Sequence, residues 1–381
     1  MIPYARQDIQ QSDIDAVEQV LRSDFLTQGP VVPRFEAAVA NRVGAGFAVA
    51  VNSATSALHI ACLALDLGPG TLLWTSPVTF VASANCGLYC GAEIDFVDID
   101  PRSLNICPIL LETKLAVAAE AGRLPKLLVV VHMAGQSAEM APIAAAAARY
   151  GVKIIEDASH AIGGHYRDAA VGSCTYSEIT VFSFHPVKII TTAEGGMALT
   201  NNAVLAARLE RLRSHGITRD PQLMSHPPDG PWYYQQIELG FNYRMTDLHA
   251  ALGVSQLARL REYIDRRRAL AARYDALLQS LPVHRPWCHP EAASAFHLYI
   301  IQLQDASRHL AVFAALRAAD IGVNIHYIPV HLQPFYASMG FAPGDFPLAE
   351  NYYGRAISLP LFPAMTEAQQ DRVVQCLSAI L

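Results

Sequence analysis

Three features of this 381-residue chain predict an α/β fold, a large domain built on a mostly parallel sheet flanked by helices and followed by a smaller α+β domain. Between about residues 45 and 200, short apolar runs alternate with helical stretches, the pattern of a parallel sheet covered on both faces. A hydrophobic share of 52% and a mean hydropathy of +0.22 supply material for a sizeable core. Beyond about residue 281 the pattern shortens to strand, helix and strand, which predicts the smaller domain. The boundary is expected near residue 245, with 1–245 forming the large unit and 246–381 a linking helix and the small one.

In chain order, strands are expected at 47–51, 72–75, 94–97, 126–131, 153–156, 179–182 and 197–199. Helical periodicity fits 55–65, 80–89, 108–121 and 138–150 between them. A helix near 204–214 precedes an irregular Pro- and His-containing loop at about 217–240. One long helical stretch then spans roughly 246–281, and 282–290 reads as a connector. The remainder reads as a strand at 296–303, a helix at 307–319, a strand at 323–327, and helices near the end.

Composition excludes several classes. The formal net charge of −6 offers no basic footprint for nucleic acid. Seven scattered cysteines without a C-x-x-C pair argue for reduced thiols rather than a disulfide framework or a zinc site. No apolar stretch is long enough to span a membrane, and the first residues lack a secretory pattern, so a cytoplasmic protein is expected. Neither G-x-G-x-x-G nor a Walker A run is present, which leaves dinucleotide and nucleoside triphosphate readings without their fingerprints.

Chemistry concentrates where strands end, because ligands in such sheets bind beyond the carboxyl ends of the strands. The chain has four lysines against 24 arginines, yet Lys188 sits among apolar neighbours in Phe182-Ser183-Phe184-His185-Pro186-Val187-Lys188-Ile189-Ile190. A lysine in such a place can lose its proton and attack a carbonyl carbon, which arginine cannot do; the ordinary alternative is an amine extended to solvent. Asp157 closes the apolar run Val152-Lys153-Ile154-Ile155-Glu156-Asp157. There it either pairs with a protonated pyridine nitrogen or caps the next helix. Asn52-Ser53-Ala54-Thr55-Ser56 opens a helix with hydroxyl residues, as a phosphate site or an ordinary N-cap would. Ser183 precedes Lys188 by five residues, and Thr79-Phe80 places an aromatic at a helix start, to stack on a cofactor ring or to fill core. Each element has a plain alternative; their order suits a pyridoxal-phosphate enzyme.

These motifs, together with Leu26-Thr27-Gln28-Gly29-Pro30 and Gly240-Phe241-Asn242-Tyr243-Arg244, resemble the sugar aminotransferases of the DegT/DnrJ/StrS family across essentially the whole chain. The resemblance implies fold-type I, with pyridoxal 5'-phosphate as cofactor and its aminated form, PMP, as intermediate. It implies that Lys188 is the Schiff-base lysine, Asp157 the partner of the pyridine nitrogen, and His160 a neighbour of the ring oxygen. Phe80 would stack on the ring, and Thr55, Ser56 and Ser183 would contact the phosphate. Asn242 would reach the phosphate from a neighbouring subunit, which implies a homodimer with shared sites.

Within the family the wording looks most like the branch serving pseudaminic acid biosynthesis, on Ile2-Pro3-Tyr4, Pro231-Trp232-Tyr233-Tyr234 and His326-Tyr327-Ile328-Pro329-Val330-His331. That implies amino transfer from L-glutamate to C4 of a UDP-linked 4-keto-6-deoxy-N-acetylhexosamine. Tyr4, Thr27, Gln28, Arg244, His326 and Tyr327 are the candidates for substrate contact, His326 being equally readable as a structural strand histidine. Gly68-Pro69-Gly70 departs from the Gly-Asp usual in relatives, at a turn. Alternatives are another nucleotide 4-keto sugar, of the perosamine, bacillosamine or aminoarabinose type, and a cofactor-binding regulator without transfer activity. A ketosugar dehydratase would carry histidine in place of Lys188.

Overall fold

The computed structural model describes residues 1–381. Its central sheet has seven strands in the order Phe47–Val51, Gly196–Thr200, Ile179–Ser183, Lys153–Asp157, Leu127–Val131, Leu72–Thr75 and Glu93–Phe96. From Ile179–Ser183 to Glu93–Phe96 every pairing is parallel, whereas Gly196–Thr200 runs antiparallel to both its neighbours. All seven strands lie within two residues of their expected bounds. Strands buried on both faces read as continuous apolar runs, as Leu127–Val131 does.

The two faces separate by residue parity. Leu127 and Val129 pack with the helices Ala54–Ala64 and Ala82–Tyr89, through Leu58, Ile60, Ala84 and Cys86. Leu128 and Val130 pack with Pro108–Glu120 and Met140–Arg149, through Leu111, Leu115 and Ile143. Nearer the antiparallel edge, Phe182, Phe184 and Leu199 meet Val32, Phe35 and Val39 of the helix Val31–Val43.

The linking segment departs from expectation. It forms two helices, Asp247–Ala258 and Leu260–Leu277, broken at Arg259 (φ −98°, ψ 5°). The Arg259 guanidinium bonds Asp13 Oδ2 (2.6 Å), Ser12 Oγ (2.9 Å) and Tyr263 OH (2.9 Å), a tertiary anchor that helical periodicity does not register. Asp247–Ala258 packs on Gln11–Leu21 and Val31–Val43, while Leu270, Ala271 and Tyr274 of the second helix enter a separate C-terminal core.

That core backs a three-stranded antiparallel sheet, Val283–His284, Tyr299–Leu303 and Ala356–Leu359. The strand expected at 323–327 is only an isolated bridge between Asn324 and Ser358. The third strand is instead Ala356–Leu359, in a region expected to be helical. The four residues Ala356-Ile357-Ser358-Leu359 are too short a segment for periodicity to distinguish strand from helix. No helix is long and apolar enough to cross a membrane.

Candidate active site

Adjacent strands Lys153–Asp157 and Ile179–Ser183 run parallel, so their last residues, Asp157 and Ser183, emerge at the same edge. The chain then loops from Phe184 to Gly195 before re-entering the sheet. This loop is closed by Phe184 N–H to Gly195 O and Thr192 N–H to Phe184 O, both 2.9 Å. Phe184, Ile189 and Ile190 bury into the core beneath it, and Lys188 is turned to a cavity of about 410 Å³. Burial lowers the Lys188 amine to a pKa of about 8, and the Asp157 charge offsets part of that effect.

Asp157 is held at both oxygens. Ser83 Oγ donates to Oδ2 (2.6 Å), while Ser159 donates to Oδ1 through its hydroxyl (2.6 Å) and its N–H (3.1 Å). Since the Ser83 proton is thus committed, Thr79 Oγ1, at 2.7 Å, donates to Ser83. The carboxylate is oriented by a hydroxyl relay from the neighbouring helix.

At the start of Ala54–Ala64, Ser53 Oγ accepts the Ser56 N–H at 3.1 Å, and the Ala54 and Thr55 N–H groups have no protein partner. Thr55 lines the cavity beside them. Gly196 allows this arrangement, because a Cβ there would lie 2.4 Å from Ala54 N and 2.5 Å from Ser53 O. Phe80 lines another wall and keeps 58% of its surface exposed. Buried His160 has its Nε2 3.0 Å from Tyr327 OH and its Nδ1 unpartnered. Burial first, then the electrostatic influence of Lys188 and His326, holds the His160 pKa well below the usual imidazole range.

Eight of the predicted site residues therefore line one cavity: Tyr4, Thr55, Phe80, Asp157, His160, Ser183, Lys188 and Tyr327. Six do not. Ser56 lies one layer behind, its hydroxyl donating to Asn52 Oδ1 at 2.7 Å. His326 sits beneath the wall, its Nδ1 2.8 Å from Ser358 Oγ and its ring 5.5 Å from that of Tyr4. Burial, with Lys188 nearby, brings its pKa to about 3. Gln28 and Arg244 meet in a second cleft of about 230 Å³, together with Glu36 and Arg213. Thr27 bridges the backbone of Thr246, and exposed Asn242 pairs with that of Ser214.

Sequence reading passed over Ser83, Ser159, Glu194 and Asn324. Ser83 stands four residues after Thr79, which precedes the helix Ala82–Tyr89, and that spacing signals the relay once Asp157 is placed opposite. Gly195 follows Lys188 by seven residues in the sequence, but the close approach that Gly196 serves is a tertiary fact.

The chain is also similar to known proteins along its whole length. Residues 7–378 match the model of the DegT/DnrJ/EryC1/StrS aminotransferase family. The chain is 38% identical to the spore coat polysaccharide biosynthesis protein SpsC of Bacillus subtilis, covering 100% of this chain and 97% of that protein. It is 36% identical to the UDP-4-amino-4,6-dideoxy-N-acetyl-beta-L-altrosamine transaminase of Campylobacter jejuni, covering 100% and 98%. Among solved structures, Spr1654 of Streptococcus pneumoniae in its PMP form superposes with a TM-score of 0.91 at 27% identity, covering 100% of this chain and 99% of that one. The chain belongs to the DegT/DnrJ/EryC1/StrS aminotransferase family, whose members are pyridoxal-phosphate-dependent transaminases of nucleotide sugars.

Proposed function

We propose that this aminotransferase binds its pyridoxal phosphate in the Lys188 cavity and moves an amino group from L-glutamate to C4 of a UDP-linked 4-keto-6-deoxy-N-acetylhexosamine. The observation that carries the site assignment is the convergence, in one cavity, of a buried amine with a lowered pKa, a carboxylate oriented at both oxygens, and a helix start with free N–H groups. The substrate assignment is supported by the Campylobacter relative, whose name states that class of sugar, together with the whole-chain likeness.

The donor set fits the cofactor. The free N–H groups of Ala54 and Thr55, with the Thr55 and Ser183 hydroxyls, suit a phosphate at a helix N-terminus. The open face of Phe80 suits an aromatic ring. Asp157 suits a protonated ring nitrogen, and His160 stands on the cavity wall with a buried nitrogen still unpartnered. When bound, the cofactor supplies a reactive aldehyde carbon and an electron-withdrawing ring.

The chain's own work is mostly proton handling and orientation. With a pKa of about 8, Lys188 Nζ is unprotonated in roughly one molecule in ten at pH 7, far more often than an ordinary lysine. It is our general base, taking the proton from Cα of the amino donor and holding it for return later in the transfer. The Ser83 and Ser159 bonds keep Asp157 aimed while charge shifts around it. Tyr4 and Tyr327 close the cavity on the C-terminal side and are assigned to the sugar, with His326 supporting them from behind.

Thr27, Gln28, Asn242 and Arg244 lie outside this cavity, and we assign them to the cavity of a second copy in a homodimer. Arg244 then offers a bidentate partner for a carboxylate or diphosphate.

The test is a panel of UDP-, GDP- and dTDP-linked 4-keto sugars offered with L-glutamate to the cofactor-loaded protein, following aminated sugar by mass and 2-oxoglutarate by coupled assay. The UDP-linked N-acetylhexosamine is expected to give the highest kcat/KM. Preference for a GDP- or dTDP-linked sugar would replace the substrate assignment and leave the aminotransferase class standing.

A further inference from the structure

Two residues of the C-terminal part enclose His160. The His297 ring lies 4.5 Å from that of His160, centroid to centroid, and the Tyr327 ring lies 6.0 Å away on a nearly parallel plane. The approach is tight at Gly135, where a Cβ would stand 2.8 Å from His297 N and 3.0 Å from His160 O. Behind it, buried Arg267 Nη1 donates to the carbonyls of Phe296 and His297 (3.2 Å each) and Leu361 (3.1 Å), which pins the segment carrying the His297 ring.

The hydrogen-bond count selects one form of His160. The Tyr327 hydroxyl has a single protein partner, His160 Nε2 at 3.0 Å. With the imidazole proton on Nε2, that proton would point at the phenol oxygen; the phenol proton would lack an acceptor, and buried Nδ1 would keep a bare lone pair. With the proton on Nδ1, Nε2 accepts from the phenol and only Nδ1–H is left over. Buried polar groups without partners are costly, so the second arrangement prevails. Charge does not compete with this choice, because burial holds His160 neutral and the Tyr327 phenol protonated.

We propose that Tyr327 is a positioning residue that fixes His160 as its Nδ1–H tautomer, with His297 as the packing wall that holds the ring in place. The chain thereby keeps one buried N–H donor, unpartnered within the protein, on a residue that lines the cavity. His160 comes just after a sheet strand and Tyr327 from the C-terminal part, so the donor is set by contact between the two. The inference rests on the cavity being the reaction site, as proposed above.

The test reads the tautomer directly. Long-range proton–nitrogen correlation on cofactor-free protein with isotope-labelled histidine, near neutral pH, reports which nitrogen carries the proton; the His160 signals are identified by their loss in His160→Gln. In the unmodified chain His160 is expected as Nδ1–H. Tyr327→Phe keeps the ring and should release a mixture or the Nε2–H form, with pyridoxal phosphate bound about three- to tenfold more weakly. His297→Phe keeps the wall and should leave the tautomer unchanged. An Nε2–H His160 in the unmodified chain, an unchanged pattern in Tyr327→Phe, or a switch in His297→Phe would each overturn the proposal. Should the tautomer shift as expected in a protein that transfers no amino group, the positioning role stands and the functional reading falls.

Discussion

The cavity around Lys188 and the cleft around Arg244 belong to one chain, yet they are built on opposite plans. In the first, Asp157 bonds to groups of the same chain at both oxygens, and a closed loop fixes the lysine. In the second, Gln28 and Arg244 share a shallow cleft with the ion pair of Arg213 and Glu36 (2.6 Å), and neighbouring Asn242 is exposed. One region is finished within the monomer. The other presents polar groups that monomer chemistry leaves unused, as a surface completed by a second copy would.

Substitutions separate the two plans, the largest effects coming from the finished region. Lys188→Arg keeps a cation but removes the titratable amine, and kcat should fall by at least about 10³-fold in steady-state assays. Asp157→Asn keeps shape and loses charge, for an expected drop of about 10²-fold or more. Mixed dimers address the unfinished region. Lys188→Ala and a double variant Asn242→Ala, Arg244→Ala should each be inactive as homodimers, while their co-expressed heterodimer recovers one intact site of two. Without recovery, the plan of sharing is wrong and the cleft serves its own chain.

Smaller effects sharpen the description of the cavity. Gly196→Ala forces a Cβ against Ala54 N and Ser53, so the helix start must shift; pyridoxal phosphate should bind about tenfold more weakly and stability fall by about 1–3 kcal/mol, read by titration and thermal melts. The pH dependence of cofactor uptake by the cofactor-free chain follows Lys188. Burial favours the neutral amine, so the stopped-flow uptake rate should rise with pH through about 8 and level off, well below the ordinary lysine range. Since the Asp157 charge raises this pKa, Asp157→Asn should move the inflection to lower pH.

What was legible in the sequence follows the same division. Asp157, Ser183 and Thr55 sit at ends of regular elements, where an apolar run stops and polar residues begin, and a local pattern suffices to place them at a sheet edge. Lys188 announced itself by composition. Gln28 lies in a bend and Arg244 in an isolated bridge to Val51, positions that depend on contacts far along the chain, and periodicity is silent there. His297 reads as an unremarkable residue near the start of the strand expected at 296–303; its meaning arises only when Gly135 lets that segment approach His160. The break at Arg259 has the same origin, long-range bonds overriding a local pattern, whereas Ala356–Leu359 is too short a segment to show a period.

The antiparallel strand Gly196–Thr200 has a further consequence. Because it turns back beside Ile179–Ser183, with Ser183 directly across from Gly196, the loop bearing Lys188 is moored at both ends to neighbouring strands. Main chain so tethered has little slack. Whatever distance the amine covers between one reaction partner and the next must come from swivelling of its four-carbon arm, so a longer loop would extend its reach only by sacrificing its aim.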